Sequence, residues 1–258
     1  KSFFRSVAAC SKLSEHFYSF TATPRIARKH DRGMNNADVY GTIIENTPAP
    51  ELMANGSIIP PKLVPFKTDS DDAENLLNTV DELQGDKILV SAPRIKRFIA
   101  MLYKTDLVNQ LKQRGYHVLH ITSKYGAFIG EKKVDRETFF QALKDWGADK
   151  AKKFIVFHYK ILSEGIDVRG LTHSILLRNL GIVEMAQTIG RVIRMDRQDT
   201  KSIQDGTLLA GNFHMYNKPC GFVSVPVPSN SNSKIVARLQ KVTNSIFIDG
   251  IPPVSYVS

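Results

Sequence analysis

The feature that most constrains the fold is a regular alternation of short apolar runs and longer helical patterns between residues 87 and 195. The apolar runs have the length of buried strands, and they lie at 87–92, 116–122, 152–158 and 173–179. Apolar residues recur at helical spacing in the stretches between and after them, which cover 95–111, 132–147 and 183–195. Strands that alternate with helices form βαβ units, so the pattern predicts an α/β fold with a parallel sheet covered on both faces. Two further strands are predicted at 206–213 and 220–227.

In a parallel sheet, functional groups gather at the carboxyl ends of the strands. The loops after Ser91, Thr122, His158 and Asn179 are therefore the places to search. Hydroxyls, lysines and backbone amides at such ends track a phosphate backbone without reading its sequence. On that basis the candidates for nucleic-acid contact are Ser91, Arg94, Thr122, Ser123, Lys124 and His158. An ordinary surface role fits each of these residues equally well.

The flanks of the alternating region have a different character. A strand is predicted from Phe17 to Phe20, before a Thr-Ala-Thr-Pro turn. Residues 46–66 hold five of the twelve prolines and favour a linker or an extended crossover. A helix is predicted over 69–83 with acids at its amino end, and a short helix follows a polar stretch after residue 228. The domain organisation expected is 1–30, then a Pro-rich linker over 31–68, a main domain over 69–228 and a polar tail over 229–258.

Charge and cysteine content narrow the function classes. The formal net charge is +10, and half of it lies in residues 1–32, which hold seven basic and two acidic residues. This weakly favours a polyanionic partner. The two cysteines, Cys10 and Cys220, provide neither a disulfide framework nor a zinc site, which favours a reducing compartment. We expect a cytoplasmic protein, or one of the nucleoid or host cytoplasm if it is encoded by a phage. No apolar run reaches the length of a membrane span and no signal peptide is visible, so we expect no membrane. Because the chain begins with Lys1, we expect that its true start is missing.

Two short stretches carry candidate chemistry. The stretch "MAQTIGRVIRMD" places Arg191 and Arg194 on one face of a predicted helix, where two permanent cations repel each other. The pair is either a solvated helix face or a site for a shared anion such as a triphosphate, since arginine forks suit phosphate oxygens. The stretch "ILSEGIDVRGLTHSIL" holds Gly165 and Asp167 after a strand, where they form either an ordinary turn or a contact with a sugar hydroxyl.

Three motifs in order, "FTATP", "SEGIDV" and "QTIGRVIR", resemble motifs III, V and VI of the superfamily 2 helicases, which are built from two RecA-like domains. "KILVSAP" lies where motif IV is expected, and "DRETFFQAL" resembles the helix that follows it. Within this superfamily, the motifs most resemble those of the DEAD/DEAH-like members related to type I and type III restriction subunits and to phage repair helicases. The resemblance covers roughly residues 17–227 and implies a RecA-like fold for the main domain.

The resemblance also implies roles for individual residues. Arg194 matches the arginine finger that reaches a triphosphate across the cleft, and Arg191 matches its companion. Gln187 would contact the nucleotide or couple it to motif III. The nucleotide-binding positions are Gly165, Asp167 and Gly190, and Thr21 and Thr23 would couple hydrolysis to domain movement. Tyr159 occupies a position that is commonly threonine in the family.

Two family motifs are missing from this sequence. There is no Gly-x-x-x-x-Gly-Lys-Ser/Thr phosphate loop, and no Asp-Glu-x-His/Asp sequence that would hold magnesium follows a strand. The resemblance therefore implies the carboxy-terminal half of a motor, whose partners are the absent first RecA-like domain and nucleic acid, with DNA favoured over RNA. ATP and Mg²⁺ belong to the complete enzyme, and we expect this chain alone to bind neither.

Three functions remain open at the level of sequence. The first is the second RecA-like domain of an ATP-dependent helicase or translocase. The second is a helicase-like module that binds nucleic acid or a protein without hydrolysis. The third is the motor part of a restriction enzyme, which moves on duplex DNA without separating its strands.

Overall fold

The structure of the chain is a computed structural model, and it describes residues 2–27, 33–67, 71–159, 168, 170–227 and 234–257. Its helices are α1 Ser2–Leu13, α2 Ala37–Tyr40, α3 Ala49–Ala54, α4 Asp72–Leu83, α5 Ile95–Tyr103, α6 Leu107–Gln113, α7 Arg136–Ala148, α8 Ile182–Val192, α9 Arg197–Gln204 and α10 Lys234–Thr243. Its strands are β1 Arg25–Ala27, β2 Pro61–Lys67, β3 Lys87–Ser91, β4 His117–Thr122, β5 Gly126–Ile129, β6 Lys132–Val134, β7 Phe154–His158, β8 His173–Leu176, β9 Gly221–Val227 and β10 Ser255–Val257. A 3₁₀ turn covers Phe213–Met215 and a π-helical segment covers Asn244–Ile248.

Within the described residues, the main sheet has eight strands in the order β2-β9-β8-β3-β7-β4-β5-β6. The first six in that order pair in parallel, and a β5–β6 hairpin extends the edge beyond β4 in antiparallel fashion. The α/β architecture with a parallel centre is confirmed, and the sheet is that of a RecA-like domain with helices on both faces. The hairpin was not predicted, because its two strands are only four and three residues long and neither is a continuous buried apolar run.

Two apolar layers cover the two faces of the sheet, because successive residues of its central strands point to opposite sides. Leu89 of β3 and Val156 of β7 pack in one layer with residues of α7, α8 and α10. Ile88 and Ile155 pack in the other layer with residues of α4, α5 and α6. Every residue of β3, β7 and β8 is buried, as expected of strands covered on both faces.

The helices predicted from periodicity form with changed boundaries. The stretch 95–111 is two helices, because the Thr105 hydroxyl donates to the Met101 carbonyl at 2.6 Å and accepts from the Leu107 amide at 3.3 Å. The helix predicted over 132–147 begins only at Arg136, where Asp135 caps it by accepting from the Thr138 amide at 2.8 Å. Side-chain hydrogen bonds at helix ends thus decided boundaries that periodicity left open.

Two predicted strands are wrong. Residues 206–213 form turns and the start of the 3₁₀ turn, since Gly206 and Gly211 both adopt positive φ angles, 71° and 76°. The stretch from Phe17 to Phe20 is not a strand either, and the Phe20 side chain is 94% exposed. Neither stretch pairs with a strand among the described residues.

The expected Pro-rich linker contains an edge strand of the main sheet. Residues 61–67 form β2, which pairs in parallel with β9, so the expectation of a linker is wrong for this part. Pro61 and Pro65 are tolerated because β2 lies at the edge, where one side of the strand needs no donors. The helices predicted for 69–83 and for the tail correspond to α4 and α10. No helix among the described residues is long and apolar enough to cross a bilayer.

Candidate functional site

The carboxyl edge of the main sheet brings three predicted residues into line. Ser91 at the end of β3 is opposite His158 at the end of β7, and His158 is opposite Ile121 of β4. Ser91, Thr122 and His158 therefore end neighbouring strands at one edge, as predicted. The adjoining loop, with Gly165 and Asp167, lies outside the described residues.

The side chains of these three residues point into the protein. His158 is 0% exposed, and its Nε2 lies 3.2 Å from the Ser91 hydroxyl, which is also buried. Burial, together with the charges of Arg178 and Arg191, lowers the pKa of His158 to about 3. The Thr122 hydroxyl is buried and accepts from the Tyr125 amide at 3.0 Å. Direct contact of these three side chains with nucleic acid is therefore not supported, because each is used inside the fold.

The other three predicted contact residues are exposed at the same edge. Arg94 precedes the first turn of α5, directly after the β3 end. Ser123 and Lys124 form the tight turn between β4 and β5. The Lys124 ammonium lies 5.3 Å from the centre of the Tyr125 ring, which is 38% exposed. This edge thus presents two cations, a hydroxyl and an aromatic face together.

Sequence reasoning missed an ion pair beside His158. The Arg178 guanidinium follows β8 and binds both carboxylate oxygens of Glu184 in the first turn of α8. It also lies 4.9 Å from the centre of the Tyr159 ring. The signal that would have found it is an arginine directly after a buried apolar strand, six residues before an acid at the start of a helix.

Helix α8 carries most of the arginine motif. Arg191 is only 9% exposed, and Gln187 and Gly190 are half-buried. A Cβ atom at Gly190 would meet nothing within 4 Å, so this point of the helix faces open space. Burial lowers the pKa of Arg191, although a guanidinium remains cationic. The buried cation and the open backbone at Gly190 fit the approach of an anionic group.

Arg194 lies beyond the helix, and the expectation that both arginines leave one helix face is wrong. α8 ends at Val192, and the Val192 carbonyl lies against the start of β9, where a Cβ at Gly221 would come within 2.4 Å of it. Arg194 instead forms an antiparallel bridge with Ile58. Burial lowers the pKa of Arg194 as well.

The predicted coupling residues lie apart from α8. Thr21 and Thr23 are in the segment before β1, where the Thr23 amide donates to the Thr21 hydroxyl at 3.1 Å. β1 pairs in parallel with β10, and in the described part of the chain it has no strand partner in the main sheet. Among the described residues, no hydrogen bond links either threonine to α8, and no cluster of three His, Cys, Asp or Glu side chains is placed to hold a metal ion.

Comparison with known proteins agrees with this geometry. Residues 71–196 match the family model of the helicase conserved C-terminal domain. No curated protein is recognisably similar to the chain in sequence.

Two solved structures share the fold with a TM-score above 0.5 at low sequence identity, and a third is less similar. A fragment of a putative HsdR subunit of a type I restriction enzyme from Vibrio vulnificus YJ016 has a TM-score of 0.55 and 15% identity, covering 89% of this chain and 42% of that chain. The ATP-dependent type ISP restriction-modification enzyme LlaBIII bound to DNA has a TM-score of 0.53 and 11% identity, covering 87% and 17%. The C-terminal domain of the DEAD-box protein Dbp5 has a TM-score of 0.41 and 14% identity, covering 78% and 91%. The chain thus spans less than half of the two restriction-enzyme chains.

Proposed function

We propose that the helicase conserved C-terminal domain of this chain is the second RecA-like domain of an ATP-dependent nucleic-acid motor. In this proposal the chain supplies Arg194 and Arg191 to ATP that a separate phosphate-loop domain holds. The observation that carries the proposal is the placement of the arginine motif. Arg191 is buried near the end of α8, and Arg194 is held by strand-like pairing just beyond it. Fixed, partly desolvated cations are suited to charge that develops on a transferred phosphoryl group.

The residues around the arginines fit a nucleotide that approaches from outside the chain. Open space at Gly190 lets an anionic group reach the helix backbone, and Gln187 lies one turn earlier on α8. When bound, the nucleotide supplies the phosphoanhydride whose hydrolysis drives movement. Arg191 would grip its phosphates in the ground state, whereas Arg194 would stabilise charge only in the transition state. Gly165 and Asp167 would face the ribose, and the acids for Mg²⁺ would come from the phosphate-loop domain.

The nucleic-acid grip is proposed for the exposed carboxyl edge. Arg94, Ser123 and Lys124 offer phosphate contacts, and the Tyr125 ring offers a stacking face. Such groups bind any sequence with strong salt dependence. DNA is the proposed partner, since LlaBIII, which shares the fold, is seen bound to DNA. Thr21 and Thr23 would transmit hydrolysis to this edge through movement between domains.

The motor part of a restriction enzyme is a second candidate. The HsdR fragment and LlaBIII each share the fold with a TM-score above 0.5, and both come from restriction enzymes, which favours translocation on duplex DNA. A module that binds nucleic acid without hydrolysis is the outcome if no phosphate-loop domain activates the chain.

The test is reconstitution of ATP turnover. The chain alone is expected to show no turnover, because it has no phosphate loop. An assembly with its phosphate-loop domain should turn over ATP when nucleic acid is added. Displacement of a triplex strand without duplex unwinding would identify the restriction-type motor, and duplex unwinding would identify the helicase. Steady turnover by the chain alone, or none by the assembly, would contradict the proposal.

A further inference from the structure

A loop with internal hydrogen bonds contacts the segment that follows α8. It runs from the end of α9 to the start of β9, over residues 205–220. The Tyr216 hydroxyl closes it by accepting from the Gly211 amide at 2.9 Å and donating to the Leu209 carbonyl at 3.3 Å. The Tyr216 ring is buried and meets Phe213 edge-on, with ring centres 5.5 Å apart. We call this element the 205–220 loop.

A buried carboxylate anchors the end of this loop. Asp199 of α9 is 1% exposed, and its Oδ1 accepts from both the backbone amide and the side-chain amide of Asn217, at 3.0 and 2.7 Å. Its Oδ2 accepts from the Lys218 amide at 3.1 Å. Three donors thus satisfy a carboxylate that is otherwise costly to bury, and the backbone of Lys218 is fixed as a result.

Lys218 connects the anchored end of the loop to the arginine motif. Its ammonium donates to the Arg194 carbonyl at 2.8 Å. On the opposite side, Arg194 bridges to Ile58, and the Ile193 carbonyl accepts from the Ile59 amide at 2.9 Å. The Arg194 backbone is therefore held from two directions by parts of the chain that are far apart in sequence.

We propose that Lys218 is a positioning residue for Arg194, itself fixed by Asp199. The inference rests on the proposed role of Arg194 as the finger that stabilises the transferred phosphoryl group. A finger acts only if its guanidinium starts from the correct place, and a displacement of about 1 Å can cost roughly 100-fold in rate. In this proposal Lys218 has no contact with nucleotide or reacting atoms, and its contribution is made through the Arg194 backbone.

The charge state of Lys218 gives the proposal a distinctive readout. Burial lowers the pKa of Lys218 to about 8, and the neighbouring Arg194 charge lowers it further, while Asp196, Cys220 and Asp199 act in the opposite direction. The charge of the Lys218 ammonium also contributes, after burial, to lowering the pKa of His173. Below pH 8 the donor is charged and its hydrogen bond is strong, whereas above pH 8 it becomes neutral and the bond weakens. Turnover in the wild type should therefore fall as the pH rises through about 8.

The experiment compares ATP turnover of the assembled motor in Lys218→Met, Lys218→Arg and Lys87→Met. Lys87 is the matched control, because its buried ammonium also donates to carbonyl oxygens, those of Gly147 and Asp149 at 2.8 and 2.7 Å. Lys218→Met should lower kcat by about 10- to 100-fold with little change in KM, the scale of a misplaced catalytic group. Lys218→Arg should recover part of kcat and lose the alkaline decline, since a guanidinium stays charged. Lys87→Met should change thermal stability and leave kcat near the wild-type value.

Several results would overturn the inference, and they separate it from the proposed function. If Arg194→Ala abolishes turnover while Lys218→Met matches Lys87→Met in kcat, only the positioning role fails. If Arg194→Ala keeps turnover, both the finger and its positioning residue fail. The wild-type pH profile tests the role without a variant that must fold, and Cys220→Ser should leave the alkaline decline in place. A wild-type profile that stays flat through pH 8, or a decline that disappears in Cys220→Ser, counts against Lys218.

Discussion

Two cationic regions of this molecule are built in opposite ways. At the carboxyl edge of the sheet, Arg94 and Lys124 stand exposed on a helix start and a tight turn. Beyond α8, Arg194 is partly buried and its backbone is held by Ile58 and Lys218. The first arrangement leaves long side chains free to follow a phosphate backbone, whereas the second fixes where one cation begins.

The difference corresponds to two electrostatic tasks. Binding a polyanion needs several cations that adapt and that exchange counterions, so exposure is an advantage and salt weakens the contact. Stabilising a transition state needs donors that are already in place, so that reorganisation does not oppose the reaction. In the proposed function, the carboxyl edge performs the first task and the Arg194 segment performs the second.

The largest effect is expected from Arg194→Ala in the assembled motor, which tests whether the two regions have separate tasks. ATP turnover should fall by about 10³-fold or more, the range attributed to arginine fingers in nucleotide hydrolases. Nucleic-acid binding should stay near the wild-type value, because the exposed edge is unchanged. The measurements are ATP turnover at saturating nucleic acid and a separate binding titration.

Two further variants serve as controls for that result. Arg194→Lys should not restore turnover, because a point charge does not reproduce the planar fork. Arg191→Ala should also lower turnover and should raise the KM for ATP, if Arg191 grips the ground state. Near-normal turnover in Arg194→Ala would mean that Arg194 is an ordinary residue of the protein surface and not an arginine finger.

Lowering the pH tests a feature that both regions share, which is a buried, neutral histidine. His158 lies beneath the carboxyl edge with a pKa of about 3, and His173 lies near Lys218 with a pKa of about 4. Both values are below that of the unfolded chain, so the stability they contribute is present above pH 6.5 and is lost as the pH falls toward these values. The free energy of unfolding should drop by about 2 kcal/mol or more between pH 7 and pH 5, since one unit of pKa corresponds to about 1.4 kcal/mol.

Urea unfolding at the two pH values measures this loss. His158→Gln and His173→Gln should each reduce the difference between pH 7 and pH 5. His16→Gln is the matched control, since His16 is exposed and should leave the difference unchanged. Equal stability of the wild type at both pH values would contradict the burial of neutral histidines.

The sequence predicted the centre of the fold well for a definite reason. β3, β7 and β8 are buried on both faces, so their composition is set by burial alone and reads as short apolar runs. The β5–β6 hairpin escaped because its strands are short and partly exposed. The stretch 206–213 was wrongly predicted as a strand, because its leucines, Leu208 and Leu209, lie within the 205–220 loop and do not pair in a sheet.

Within the candidate site, residue types were predictable and their surroundings were not. The arginine motif and the strand-end positions could be found, because motifs and strand ends are local in sequence. The contacts of Arg194 with Ile58 and Lys218, and of Asp199 with Asn217, join segments separated by long stretches of chain. Burial of Ser91, Thr122 and His158 was also invisible, because the last residue of a strand can point inward or outward.

Asp199→Ala tests whether the buried carboxylate holds the 205–220 loop near Arg194. The variant leaves three donors of Asn217 and Lys218 without their acceptor and should cost about 2 kcal/mol of stability. Asp205→Ala is the control, because Asp205 is exposed at the end of α9. Hydrogen exchange should rise in the 205–220 loop of Asp199→Ala and stay unchanged at the β4–β5 turn. Equal stability of the two variants would mean that the buried carboxylate does not hold the loop.

The smallest effect is expected at the exposed edge, from Lys124→Ala. Removing one phosphate contact should weaken nucleic-acid binding only a few-fold, about equally for all sequences, and should reduce the slope of log affinity against log salt by about 1. Lys150→Ala is the matched control, since it removes the same charge from an exposed turn that precedes β7, at the opposite edge of the sheet. The net charge falls equally in both variants, so a general electrostatic attraction predicts equal losses and a local grip predicts a loss for Lys124 alone. Fluorescence anisotropy with single-stranded and duplex DNA at several salt concentrations separates these cases. Equal slopes for the two variants would assign the binding to overall charge and remove the carboxyl edge from the proposed grip.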